Sequence, residues 1–136
     1  MVNKFDLCEE RKCVYAPEII TKNGKRQNPF YVFSYRRLFL FAKWAKTHIW
    51  SKLSYIVMVV AKIHRVLFNV FYKSGSFRKI YAAHGSFIVF NKAVLDELVR
   101  PFEDDIFLYC EENFLGYKLK KKNIPLYYTD KVSVKH

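Results

Sequence analysis

From Ile19 to Leu95 the chain contains no aspartate or glutamate, although fourteen lysines and arginines fall in the same 77 positions. Carboxylate chemistry is therefore excluded from the middle of the chain and confined to its flanks. Eight of the twelve acids lie between Asp96 and Asp130. Glycine and proline are scarce, four of each, while 51% of the residues are hydrophobic and 18% aromatic, which excludes collagen-like, low-complexity and disordered classes. Cysteine is scarce too. Cys8 and Cys13 are spaced C-x4-C with no second pair to close a zinc site, and Cys110 is remote, so all three read as thiols of a reducing compartment. Long apolar runs are missing: in the apolar middle the longest uncharged run is Leu53–Ala61, nine residues, against the roughly 18 a membrane-crossing helix needs. Residues 1–15 are charged and hold no apolar core of a signal peptide.

What remains is one domain's length, 136 residues, enough to bury roughly two thirds of its unfolded surface. The net charge is +12 and the pI about 9.7. That balance points to an anionic partner: nucleic acid, an acidic membrane face or a phosphorylated substrate.

Residues 13–20 read as a short strand interrupted by Pro17. Asn23-Gly24 signals a turn, and Pro29 a stop. Residues 34–72 contain no glycine or proline and interleave Trp44, Trp50 and Tyr55 with bases. Arg36, Lys43 and Lys46 fall near one helical face, and Leu38, Phe41, Ala45 and Ile49 on another, so two basic amphipathic helices are expected, meeting near residues 48–54. Such helices suit an anionic membrane surface. His48 and His64 read as packed or solvated. KSGS at 73–76 is a loop, Ser86–Phe90 a short strand, and Gly85 ahead of it a place of close backbone approach. A short helix capped by Asn91 follows, with Asp96 and Glu97 on its outer face. Residues 106–122 carry Glu111 and Glu112 toward the start and Lys118, Lys120, Lys121 and Lys122 at the end, matching a helix dipole, with Asn123 as the stop. IPLYYT at 124–129 is a last strand and 130–136 a tail. This order argues an α/β fold.

Three blocks resemble the acceptor-side, C-terminal half of family 2 glycosyltransferases, enzymes of GT-A fold, and in particular members that build bacterial polysaccharides by rhamnosyl or galactosyl transfer. They are HGSFIVFNKAVLDEL at 84–98, PFEDDIFLYCEENFLGYKLKKKNIPLYY at 101–128, and the closing VSVKH; YAPEIITKNGKRQNP upstream is similar to the family's connecting segment. The resemblance implies a partial GT-A, Rossmann-like sheet. It spans an opening strand and loop at 13–33, a basic helical insertion at 34–72 and an acceptor-side portion at 79–136. By the same resemblance Glu112 is the candidate base, Glu111 its neighbour, His84, Gly85 and Ser86 line the substrate pocket, and His136 contacts the metal or diphosphate. Glu replaces the family's Asp at 112. Two acids at a helix start also simply satisfy the dipole.

The family's D-x-D, which holds a divalent metal (Mg or Mn) on the nucleotide diphosphate, does not occur in the sequence. Glu103-Asp104-Asp105 falls where the family has a loop. The expectation is a donor-lacking portion of an enzyme that uses a nucleotide-sugar donor and a glycan or lipid-linked acceptor. It would sit in the cytoplasm, peripheral at the inner face of the plasma membrane, and need its missing half or oligomerisation to cover open strand edges. The competing expectation is a non-catalytic basic module that binds a membrane surface or nucleic acid.

Overall fold

A computed structural model describes residues 12–34, 53–102 and 111–135. Within them the chain is α/β: strands β1 (Val14–Ile20), β2 (Arg78–Ile80), β3 (Val89–Phe90) and β4 (Leu126–Lys135), and helices α1 (Leu53–Phe71), α2 (Lys92–Leu98) and α3 (Glu111–Lys121). The sheet is mixed, in the order β2-β4-β1-β3. β1 and β4 run parallel, while β3 on β1 and β2 on β4 are antiparallel. This arrangement is compatible with part of a Rossmann-like sheet.

Pro17 does not interrupt β1. Proline offers no N–H to a ladder, and the strand accommodates it with a shift of register between Pro17 and Glu18: Pro17 pairs with Thr129, Glu18 with Ser133. The outer edge of β1 is sealed by the loop that follows the Asn23-Gly24 turn, where Gly24 takes a φ of 72°. Gln27 N–H donates to the Ile19 carbonyl at 2.9 Å, and the Asn28 side chain donates to the Pro17 carbonyl at 2.7 Å. Residues 130–135 are not a tail. Lys131, Ser133 and Lys135 alternate with the more sheltered Val132 and Val134, a period of two, and continue β4 alongside β1.

One core joins the sheet to the helices: Val14 and Ala16 of β1, Ile80 of β2, Leu126 and Tyr128 of β4, Phe68 of α1, Val94 and Leu98 of α2, and Leu115 and Leu119 of α3. Asn91 caps α2, its side chain accepting from Ala93 N–H at 2.8 Å. Glu97 is not on an outer face as expected; it is half-buried, pairs with Lys12 and lies 3.8 Å from Lys122. Asn123, at φ 56°, ends α3 as expected.

Asp130 clamps the 73–76 loop to β4. Its carboxylate accepts from Ser74 Oγ at 2.6 Å and Gly75 N–H at 2.7 Å, and the Tyr72 hydroxyl lies 2.9 Å from it. Burial pushes this carboxyl up, but the hydrogen bonds from Ser74, Gly75 and Tyr72 outweigh it and hold the group below the usual carboxylate value.

Candidate functional site

The first turn of α3 and the turn before β3 meet. Glu111 and Glu112 open α3, where the N-terminal end of a helix favours negative charge. Glu112 is half-buried, and its Oε1 accepts from Gly85 N–H at a long 3.3 Å. A methyl group placed on Gly85 would stand 3.4 Å from the same oxygen, so the glycine sits against the carboxylate without being sterically required there.

Beside it, Ser86 Oγ lies 2.6 Å from His84 Nδ1, and Ser86 N–H lies 3.3 Å from the same atom. A backbone N–H can only donate, so in that contact Nδ1 is the acceptor. The ring packs edge-on to Phe30, with centroids 6.2 Å apart. Asn28, fully buried, fixes the turn from behind: its Oδ1 accepts from His84 N–H at 2.7 Å while its Nδ2 holds the Pro17 carbonyl. One amide therefore ties β1 to the His84 turn, and both its polar ends are satisfied.

A close approach of backbones sets the position of α3. At Gly116, one turn beyond Glu112, a Cβ would fall 2.4 Å from the Tyr81 carbonyl oxygen, and the Tyr81 hydroxyl donates to the Asn113 carbonyl at 3.2 Å. Sequence reasoning passed over both Gly116 and Asn28. A glycine inside a helix pattern that is otherwise rich in formers was the available signal for the first. The second offered none, since its partners lie 11 and 56 residues away.

Glu112, Gly85, His84 and Ser86 thus share one patch, and Glu111 neighbours it in sequence. His136 lies outside the described residues, as do Cys8, Glu103-Asp104-Asp105, Tyr109, Cys110, His48 and residues 35–52 with the two helical faces expected there. A cavity of about 500 Å³ opens elsewhere, lined by Val32, Phe33, Lys79, Tyr81, Gly116 and Lys120 among others, and Glu111, Glu112 and His84 are not part of its wall. Among the described residues no group of three or more His, Cys, Asp and Glu side chains is placed to hold a metal ion. By the family resemblance the divalent metal belongs with the donor-side D-x-D and not with these residues. Among the described residues, no helix is long and apolar enough to cross a membrane.

No family model, no curated protein and no solved structure matches this chain.

Proposed function

We propose that the chain supplies the acceptor side of an inverting, family 2-like glycosyltransferase of GT-A fold, acting on a glycan or lipid-linked acceptor. The observation that carries this reading is the contact of Glu112 with Gly85 beside His84 and Ser86. It joins a half-buried carboxylate to an exposed turn that has no side chain at Gly85 and offers hydroxyl and imidazole groups on either side of it. The likeness of residues 84–98 and 101–128 to the family, which is the source of the roles given to these residues, supports it as well.

In this reading the acceptor hydroxyl lies against Gly85 and gives its proton to Glu112 as its oxygen forms the new bond to the anomeric carbon. The bond from that carbon to the diphosphate breaks on the opposite face. His84 and Ser86 orient the acceptor's neighbouring hydroxyls through hydrogen bonds. Glu111 stands beside Glu112 in the first turn of α3 as an acceptor or structural ligand. Nucleotide-sugar binding belongs to a donor-side half bearing D-x-D.

Glu112→Gln is the discriminating substitution, because its amide oxygen can still accept from Gly85 N–H, so folding is retained while the base is lost. Glycan acceptors added to the chain are expected to shift the amide resonances of Gly85 and Ser86. With a nucleotide-sugar and a donor-side half supplied in trans, Glu112→Gln lowers transfer by about 10²–10⁴-fold. Unmoved Gly85 and Ser86 resonances at about 1 mM of every glycan tried, or full transfer by Glu112→Gln, would overturn the reading.

A further inference from the structure

Helix α1 presents its apolar residues on both sides. The inner side is docked: Phe68 is buried and packs edge-on to Tyr128 at 5.6 Å, Val60 and Ala61 lie on Tyr31, and the His64 ring meets Phe33 at 5.2 Å. Arg65 reaches across to the carbonyls of Arg26 and Gln27, at 2.6 and 3.0 Å. These contacts settle which way the helix faces. On the other side, where a helix packed on a soluble domain is normally polar, stand Ile56, Val59, Ile63, Val66 and Val70, each between 51% and 69% exposed. Their spacing of three and four residues keeps them in one stripe along the whole helix. Tyr55 and Leu67, also exposed, widen it.

Charge decides what can cover this stripe. No residue of α1 is acidic, Lys62 is exposed next to the stripe, and Lys73, Arg78 and Lys79 are exposed just beyond the helix end. A second copy would bring the same cations against these and no carboxylate on α1 to pair with them. An anionic lipid surface offers both an apolar layer for the stripe and negative headgroups for the bases. We propose that the outward face of α1 docks on an anionic membrane, with the helix lying in the plane of the interface, Ile56, Val59, Ile63, Val66 and Val70 below the headgroups and Lys62 among them. This surface is distinct from the Glu112 patch and stands whether or not Glu112 acts as a base.

The test is flotation of the full chain with vesicles of phosphatidylcholine containing about one third phosphatidylglycerol, or of phosphatidylcholine alone. The expected result is binding to the anionic vesicles only, weakened by about fivefold for each cation lost, as in Lys62→Gln. The double substitution Ile63→Ser with Val66→Ser is expected to weaken it by at least about tenfold, because two half-inserted side chains are removed. The melting temperature of that double variant should stay at the wild-type value, since Ile63 and Val66 are both more than half exposed, and Glu112→Gln should bind vesicles as the wild type does. Four results would each overturn the proposal. They are equal binding to neutral vesicles, undiminished binding by the double variant, a dimer in sedimentation that the double variant dissolves, and a lowered melting temperature, which would mean that the chain itself covers the stripe.

Discussion

Gly116→Ala reverses the usual rule for glycine in a helix. In the interior of an exposed helix the exchange stabilises by about 1 kcal/mol, because alanine orders at less entropic cost. At position 116 the new methyl carbon would lie 2.4 Å from the Tyr81 carbonyl oxygen and 3.3 Å from the Tyr81 ring. The obstacle is main chain, so no rotamer change relieves it, and α3 or the segment after β2 must retreat by on the order of 1 Å. Overpacking of this kind costs about 1–3 kcal/mol, and with a backbone atom as the obstacle the upper end applies; after the propensity gain a net loss of about 2 kcal/mol remains. Urea denaturation of the wild type and Gly116→Ala measures it, with Lys121→Ala on the exposed side of the same helix as control, expected within about 0.5 kcal/mol of wild type. The retreat would also lengthen the 3.3 Å contact between Glu112 and Gly85 one turn away, and so move the Gly85 amide resonance. A Gly116→Ala protein as stable as the wild type, or more so, would refute the close approach and with it the geometry that delivers Glu112 to the His84 turn.

Two further substitutions probe the frame of the patch. Asn28→Ala strips a partner from the Pro17 carbonyl, in a buried setting, and one from the part-buried His84 N–H, and is expected to cost about 2–5 kcal/mol by denaturant titration; a loss below about 1 kcal/mol would mean water replaces the amide. Asp130, held below its unfolded pKa, contributes stability that is fully present above the usual carboxylate range and is lost as pH falls through its folded value. The stability gap between wild type and Asp130→Asn should therefore be constant near neutrality and shrink below about pH 4, as urea midpoints taken from pH 7 to pH 2 will report.

What could be read from the sequence was local. Asn91 as a cap, Asn123 as a helix stop and Asn23-Gly24 as a turn each depend on a few neighbouring residues, and each stands where expected. Pro17 and the closing residues were misread for the same reason: a proline and a run of alternating lysines look like breaks until the partner strand shows how they are accommodated. The charged alternation at 131–135 is a strand because β1 lies beside it. The four-stranded order and the antiparallel edges depend on pairings of distant segments that carry no local mark. At the patch, the nearness of Glu112 to Gly85 followed from a likeness between blocks rather than from any spacing, and the groups that hold it in place, Asn28 and Gly116, were silent because their partners are far along the chain.

The slip between β1 and β4 sorts side chains by chemistry. Continued without a break, the pairing of Pro17 with Thr129 would set the fully buried Ile19 opposite Lys131; after the slip Ile19 stands beside Val134 instead. The displaced residues go to places that suit them. Asp130 turns to the hydroxyl and amide donors of the 72–75 segment, and Lys131 comes to rest with its ammonium 4.5 Å from the centre of the Phe77 ring. A proline that cannot donate thus lets an apolar strand and a charged one share a single ladder, each polar group leaving at the point where keeping it would have cost most.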